Sequence, residues 1–190
     1  DGLSNIADEN EYWFFNPVVA LSIDGALDFG SVVPGQLSYS DTLLLGNDAE
    51  DGSGVMLDMF ISGTNFYDPA SSSAKCPTTN ELGLDNFAYF ATNGAYSSAG
   101  DVRDDPLAAI ADENYVPIAL GDRITDAEDL ICNDDENAGA DDCDYNEGDY
   151  STGNQLTPGS EFALTFRLDL PSPCSGDYTD GSIFFWGEAI

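Results

Sequence analysis

The chain has 190 residues, in which 36 Asp and Glu side chains stand against 4 Lys and Arg with no His, so the formal net charge is −32. Nucleic-acid binding needs Lys and Arg to replace the counterions on phosphates, and anionic membranes repel such a chain as well. Without His, His-based acid–base catalysis, Ser-His-Asp triads and His-ligated zinc are excluded. Cations, neutral ligands such as sugars, and other proteins remain as partners.

The composition supports a folded core despite this charge. Apolar residues make up 42% of the chain, including 11 Phe, 9 Tyr and 2 Trp, whereas disordered acidic chains are poor in aromatic residues. The folded chain must tolerate strong self-repulsion, which salt screens and bound divalent cations relieve locally. No apolar run approaches the roughly 20 residues that a membrane-spanning helix needs.

Period-2 alternation of apolar residues predicts strands along much of the chain. The clearest case is Glu161–Leu170, in which every second residue from Phe162 is apolar. In chain order the candidate strands are Val18–Ile23, Thr42–Leu45, Val55–Ser62, Leu84–Ala91, Glu161–Leu170 and Ser182–Gly187. Turn dipeptides such as Asp24-Gly25 and Asp180-Gly181 separate them.

Helix signals are confined to short turns. Asp105 before Pro106 suits the cap of a turn at Leu107–Ala111, and Thr125 with Glu128 resembles a capping box that opens a turn through Leu130. The sequence therefore predicts an all-β protein, an immunoglobulin-like or jelly-roll-like antiparallel β-sandwich with short helical turns in its loops. We expect one sandwich domain over residues 17–190, after an N-terminal extension over residues 1–16.

The four cysteines, Cys76, Cys132, Cys143 and Cys174, lack the C-x-x-C spacing of metal and redox sites. In an exported chain they most simply form two disulfides, for which three connectivities exist. We favour Cys132–Cys143, which closes the most acidic loop, together with the long-range pair Cys76–Cys174. Free buried thiols are the alternative.

The loop over residues 132–149 is a candidate calcium site. Asp142, Asp144 and Asn146 have the alternate spacing of a calcium-binding loop, and Asp134 and Asp135 add carboxylates nearby. The glycine that an EF-hand loop places at its sixth position arrives one residue late, at Gly148. The loop is thus a candidate site for structural Ca²⁺, although its imperfect match to the motif slightly favours a solvated acidic loop closed by a disulfide.

A family resemblance follows from two stretches near the N-terminus. These are Leu27-Asp28-Phe29-Gly30-Ser31-Val32-Val33-Pro34-Gly35-Gln36 and Thr42-Leu43-Leu44-Leu45-Gly46-Asn47. They resemble the opening strands of the TasA/camelysin group and of archaeal bundling-pilus subunits, secreted proteins with an immunoglobulin-like sandwich. The resemblance implies a processed, extracellular subunit that completes a neighbour's sandwich with a donated strand.

The two ends of the chain also suggest polymerisation. Tyr12, Trp13, Phe14 and Phe15 form an apolar segment behind a polar leader, and an aromatic strand runs nearly to Ile190. An extended aromatic segment that adds a strand to a partner's sheet gains backbone hydrogen bonds and fills pockets. We therefore expect copies of the chain to join head to tail into a filament, with divalent cations as further partners. The alternative is that both ends are ordinary strands of a self-contained sandwich. The chain starts at Asp1 without a signal-peptide pattern, which we expect of a processed, secreted form.

A secreted calcium-dependent adhesion or carbohydrate-binding module is the alternative function. Trp13, Tyr89, Tyr96 and Tyr115 are its candidate sugar platforms, although we expect most of these side chains to lie in the core. We expect no catalysis, because the Walker, Rossmann and G-x-S-x-G motifs are absent. Carboxylate pairs at glycosidase distances arise by chance among 36 acidic residues and carry no information.

Overall fold

The computed structural model describes residues 19–50, 54–70, 73–94, 96–98, 115–131 and 154–190. Strands dominate these ranges, with two short 3-10 turns between them. The strands are β1 (Leu21–Asp24), β2 (Leu37–Tyr39), β3 (Leu43–Asn47), β4 (Leu57–Gly63), β5 (Phe66–Tyr67), β6 (Glu81–Leu82), β7 (Phe87–Asn93), β8 (Tyr96–Ser97), β9 (Val116–Pro117), β10 (Glu128–Asp129), β11 (Gln155–Leu156), β12 (Glu161–Asp169) and β13 (Ile183–Ala189).

Every pairing between these strands is antiparallel, and most strands lie in two sheets. The larger sheet is centred on β12, which pairs with β7 on one side and with β2 and β3, end to end, on the other. β1 extends this sheet beyond β3, and β8 and β9 extend it beyond β7. The smaller sheet is centred on β4, between β13 and the short strands β10 and β11.

The core lies between the two sheets and follows from the alternation in their central strands. From β12, Phe162, Leu164, Phe166 and Leu168 point inward and are at most 5% exposed. From β4, Leu57, Met59 and Ile61 meet them and are at most 1% exposed. Burial of each such side chain stabilises the fold by roughly 1.5–3 kcal/mol, so these two central strands contribute substantially to the packing between the sheets.

The all-β antiparallel sandwich predicted from the sequence is confirmed. Five predicted strands have their counterparts in β1, β3, β4, β12 and β13, with bounds shifted by up to three residues. The strand predicted over Leu84–Ala91 begins instead with a 3-10 turn at Leu84–Asn86.

The prediction of a helical turn from Thr125 through Leu130 is wrong beyond Asp126. A 3-10 turn covers Ile124–Asp126, but Glu128 and Asp129 then pair with Ile61 and Phe60 of β4. Pairing with β4 gives the backbone N–H and C=O groups of this segment the hydrogen-bond partners that they would otherwise have found within a longer helical turn. The turn predicted at Leu107–Ala111 lies outside the described residues.

Two long-range links hold the sandwich together. A disulfide joins Cys76 to Cys174, 98 residues apart, as predicted for this pair. The side chain of Asn47, which is fully buried at the end of β3, donates hydrogen bonds to the carbonyl oxygens of Val55 (2.9 Å) and Leu156 (3.0 Å). Because Leu156 belongs to β11, the second bond connects the larger sheet to the smaller one. Among the described residues no helix is long and apolar enough to cross a membrane.

Candidate functional site

One side of the sandwich ends in two strands that each pair on a single side. Within the described part of the chain, β1 pairs with β3 alone and β13 pairs with β4 alone. The outer edge of a strand presents backbone N–H and C=O groups to whatever lies beside it, and a long apolar edge is a template for a further strand. β13 is such an edge, with seven residues from Ile183 to Ala189.

A single contact places these two edges on the same side of the molecule. Gly187 of β13 lies against Leu21 of β1, so a methyl group built on Gly187 would stand 3.9 Å from Leu21 Cδ1. The same methyl group would stand 3.5 Å from Leu57 Cδ1 and from Met59 Sδ in the core. The two sheets therefore approach each other closely here, with their unpaired edges adjacent.

The inward-facing side chains along these edges are incompletely covered. Ile23 pairs with Leu45 on the neighbouring strand, so both side chains point to the face of the sheet that lies against the core. Ile23 is nevertheless 54% exposed, whereas Leu45 is fully buried. On β13, Ile183, Phe185 and Ala189 pack against the core but are only half-buried. We call the outer edges of β1 and β13, with the side chains Leu21, Ile23, Ile183, Phe185 and Ala189, the open flank.

The opposite face of β13 is also apolar. Trp186 lies directly across from Phe60 on β4, and Phe184 packs against Trp186 with ring centroids 5.9 Å apart. These three side chains are half-buried, and Trp186 Nε1 donates a hydrogen bond to Ser62 Oγ at 2.9 Å. A strand that is apolar on both faces normally has neighbours on both faces, so β13 carries more apolar surface than its present position covers.

Two carboxyl groups face each other at the far end of this strand pair. Asp58 of β4 lies opposite Glu188 of β13, and the Asn154 amide donates a hydrogen bond to Asp58 Oδ1. Burial and, to a smaller extent, the negative charge of Glu188 together raise the pKa of Asp58 to about 6. Above this pH the strand pair carries two neighbouring negative charges at the end of the open flank.

Most of the residues singled out from the sequence lie outside the described ranges. They are the polymerisation residues Tyr12, Trp13, Phe14 and Phe15, the metal ligands Asp134, Asp135, Asp142, Asp144 and Asn146, and the second cysteine pair Cys132 and Cys143. These assignments stay predictions. Within the described part of the chain, no group of three or more acidic or Cys side chains is arranged to hold a metal ion.

The candidate sugar platforms differ in how far the structure exposes them. The proposal for Tyr89 is wrong, because this side chain is 1% exposed and donates a hydrogen bond to the Leu130 carbonyl oxygen across the core (2.8 Å). Tyr115 is half-buried in a cluster with Tyr39 and Phe90. Trp13 and the side chain of Tyr96 lie outside the described part.

Sequence reasoning identified the strands of the open flank but missed the flank itself. The strand patterns at Val18–Ile23 and Ser182–Gly187 show no sign that the two segments end up side by side. One available signal was the run Ile183-Phe184-Phe185-Trp186, which is apolar at consecutive positions and so offers an apolar side chain to both faces of a sheet.

Comparisons of the chain with protein-family models, curated sequences and solved structures found no match. The open flank and its exposed apolar side chains are therefore the basis on which we propose a function.

Proposed function

We propose that this protein is the structural subunit of an extracellular filament, in which the segment Tyr12–Phe15 of one copy adds a strand to the open flank of the next. The observation that carries this proposal is the flank, where strand edges from both sheets meet without a partner among the described residues and the inward-facing Ile23 stays exposed. A sandwich in this condition has room for one more strand. The donated strand would supply the missing partner for the backbone of β13 or β1 and cover Ile23 and Phe185.

The lengths of the two segments are compatible. Seven residues of β13 span roughly 23 Å, and the four aromatic residues Tyr12–Phe15 with their neighbours can match most of that length at about 3.3 Å per residue. Burying three aromatic side chains would contribute about 6 kcal/mol, at roughly 2 kcal/mol each. An interface that uses different surfaces on the two partners does not close on itself, so it generates an open filament.

Charge opposes this assembly and sets its conditions. Each subunit carries a formal charge of −32, so neighbouring subunits repel one another strongly in dilute buffer. Salt and bound divalent cations such as Ca²⁺ would therefore be required for a stable filament. The Cys76–Cys174 disulfide is compatible with an extracellular location, because disulfides persist in oxidising compartments.

Two complementary variants test the proposal directly. A donor-deficient variant replaces Trp13, Phe14 and Phe15 with Ser and keeps the flank intact. An acceptor-deficient variant carries Ile23→Glu, which places a charge on the flank at a position that is 54% exposed and therefore tolerant of change. We expect each variant alone to stay monomeric, and the two together to form a 1:1 dimer that does not grow, measured by light scattering and negative-stain microscopy.

The matched control is Leu120→Glu, which adds the same charge at a leucine that is 66% exposed. Leu120 bridges to Gly63 on the side of β4 away from β13, so this variant should still form filaments. The proposal fails if the two deficient variants do not dimerise when mixed, which is the result expected of a chain whose own first residues occupy the flank. It also fails if Leu120→Glu blocks assembly as effectively as Ile23→Glu.

The aromatic face formed by Phe60, Phe184 and Trp186 favours a second candidate, a carbohydrate-binding or adhesion module. Half-buried aromatic rings on the outer face of a sheet suit stacking against sugars. This candidate predicts that Trp186 fluorescence changes on addition of oligosaccharides while the wild-type chain stays monomeric. Filaments that form normally with Trp186→Ala, with no response to glycans in the wild type, would exclude it.

A further inference from the structure

Arg167 occupies an unusual position for a cation in this chain. It lies on the outward face of β12, the central strand of the larger sheet, with Tyr39 of β2 on one side and Ala88 of β7 on the other. Its guanidinium carbon stands 5.6 Å from the centroid of the Tyr115 ring, within the range of a cation–π interaction.

The Tyr115 ring that contacts this cation belongs to a small aromatic cluster. The ring centroids of Tyr39 and Tyr115 are 5.6 Å apart, and those of Phe90 and Tyr115 are 6.0 Å apart. The Tyr115 hydroxyl lies 3.2 Å from Thr165 Oγ1, which fixes the position of the ring over the sheet. We call Arg167, Tyr39, Phe90 and Tyr115 the arginine cluster.

The charge of Arg167 is not neutralised within the described part of the molecule. Its Nε and Nη1 atoms are buried and have no hydrogen-bond acceptor. No ion pair to it occurs among the described residues, although the chain contains 36 carboxylates. Asp169 lies on the same face two residues further along β12, but it stands opposite Leu37 and does not pair with Arg167. A partly buried cation that has no counter-charge among the described residues is costly, so binding of an anion at the arginine cluster would be favourable.

The other described cations do not share this situation. Arg123 is highly exposed, and its Nε lies 3.8 Å from Asp122 Oδ1. Lys75 is exposed as well. Among the described residues, Arg167 alone combines a partly buried positive charge with a cation–π contact, and a guanidinium shielded from water in this way binds a carboxylate more strongly than an exposed one does.

We infer that the arginine cluster is a binding site for a single carboxylate group, brought by an acidic side chain of a second copy of this chain. Charge complementarity supports this source, because each copy offers 36 carboxylates and only 4 basic residues to receive them. The cluster is on the larger sheet, apart from the strand edges of the open flank. The inference rests on the proposed filament for the source of the carboxylate, but not for carboxylate binding itself.

The chain offers a clean probe for this site, because it contains only three arginines, Arg103, Arg123 and Arg167. In the full-length, ¹⁵N-labelled donor-deficient variant, each arginine contributes one Nε–Hε signal, and the Arg167 signal is assigned by its loss in Arg167→Lys. We expect sodium acetate to shift the Arg167 signal in a saturable way relative to sodium chloride at the same ionic strength. The Arg123 signal should follow ionic strength alone. The inference is overturned if the Arg167 signal does not respond to acetate, or responds no more than the Arg123 signal does. Either result would mean that a carboxylate of the same chain already holds the guanidinium, or that the guanidinium binds no carboxylate.

A second measurement identifies the source of the carboxylate. In the assembling wild type, Arg167→Gln should raise the threshold protein concentration for filaments about tenfold, equivalent to about 1.4 kcal/mol. Acetate should act in the same direction on the wild type, whereas Arg123→Gln should leave the threshold unchanged. If acetate binds but Arg167→Gln assembles at the wild-type threshold, a second copy is not the source. Because the acetate titration uses an unassembled protein, it can succeed or fail independently of the proposed filament.

Discussion

Asp58 and Glu188 lie directly opposite each other on β4 and β13, and Asp58 is only 7% exposed. Two carboxylates in this position cannot both be charged without cost. Burial is the main reason that the pKa of Asp58 rises from 3.8 to about 6, and the Glu188 charge adds to it. The strand pair at the end of the open flank is therefore sensitive to pH in the mildly acidic range.

This pair predicts that stability falls as the pH rises from about 4 to about 6. The folded state binds the Asp58 proton more tightly than the unfolded state does. The stability that this proton adds is therefore fully present below the pKa of Asp58 in the unfolded chain, and it is lost as the pH rises through the pKa in the folded chain. The shift corresponds to roughly 3 kcal/mol as an upper value. Asp58→Asn keeps an oxygen that accepts the bond from Asn154, so we expect a flatter pH profile and higher stability at pH 7.

Urea denaturation in the presence of EDTA, followed by tryptophan fluorescence from pH 4 to 7, measures this effect. Glu188→Gln should flatten the profile in part, because Glu188 is the smaller of the two causes that raise the pKa of Asp58. Asp169→Asn removes the same charge from an exposed position and should leave the slope unchanged. A variant Asp58→Asn that is less stable than the wild type at pH 7 would contradict this account.

Of the two cysteine pairs, Cys76–Cys174 is expected to contribute more to the free energy of unfolding. It closes a loop across 98 residues, and the chain-entropy model assigns such a loop about 4 kcal/mol or slightly more. Replacing both cysteines with Ser should lower the free energy of unfolding by about that amount.

The matched variant removes Cys132 and Cys143, whose pairing stays a prediction. A loop of that length is worth about 3 kcal/mol in the same model. Disulfide mapping by mass spectrometry establishes the connectivity before the unfolding curves are compared. Equal stability of the Cys76–Cys174 double variant and the wild type would show that the long-range disulfide does not stabilise the fold.

Asn47 is expected to be intolerant of an isosteric change. Its Nδ2 atom donates to two carbonyl oxygens, those of Val55 and Leu156, and its Oδ1 accepts from the Ala49 N–H at 3.1 Å. Asn47→Asp turns the donor into an acceptor and buries a charge that faces both carbonyls. We expect a loss of about 2–4 kcal/mol in the free energy of unfolding at pH 7.

The control for this substitution is Asn93→Asp. Asn93 is half-buried, and its Nδ2 atom donates to the Gln155 carbonyl oxygen at 3.1 Å. Asn93→Asp therefore removes this bond between the sheets at a half-buried position, whereas Asn47→Asp removes two bonds at a fully buried position. We expect a clearly smaller loss, because water can reach the new carboxylate. Similar losses for the two variants would mean that burial at Asn47 does not decide the cost.

Salt and chelator should control assembly together. With −32 charges on each subunit, we expect filaments to dissociate when low ionic strength is combined with EDTA, and to persist when either salt or Ca²⁺ is restored. Sedimentation of the polymer across a matrix of NaCl and Ca²⁺ concentrations measures this. Filaments that survive the combined treatment unchanged would refute the electrostatic part of the proposal.

Local sequence patterns were sufficient for much of the fold. The alternation in Glu161–Leu170 predicts both the strand β12 and the four side chains that it buries, because the side-chain period of a strand is two whatever its neighbours are. The turn at Leu84–Asn86 and the pairing of Glu128 and Asp129 were not predictable in this way, because both depend on contacts with distant strands.

The candidate sites depended still more on tertiary structure. Leu21 and Gly187 are 166 positions apart, and nothing in either strand indicates that they meet at the open flank. Tyr39, Tyr115 and Arg167 come from three separate strands or loops, and only the register of the larger sheet brings them together. Tyr89 illustrates the same limit, since its aromatic ring alone did not reveal whether it faces solvent or core.

The sequence by itself determined the composition-dependent properties of this protein: a folded chain with a very high negative charge, an all-β architecture and an apolar segment at Tyr12–Phe15. Only the tertiary structure decided which strand edges have no partner, and which cation has no counter-charge, within the described part of the chain. The physical reason is that charge and side-chain period are local quantities, whereas edges and unneutralised charges are defined by what packs beside them after the chain has folded.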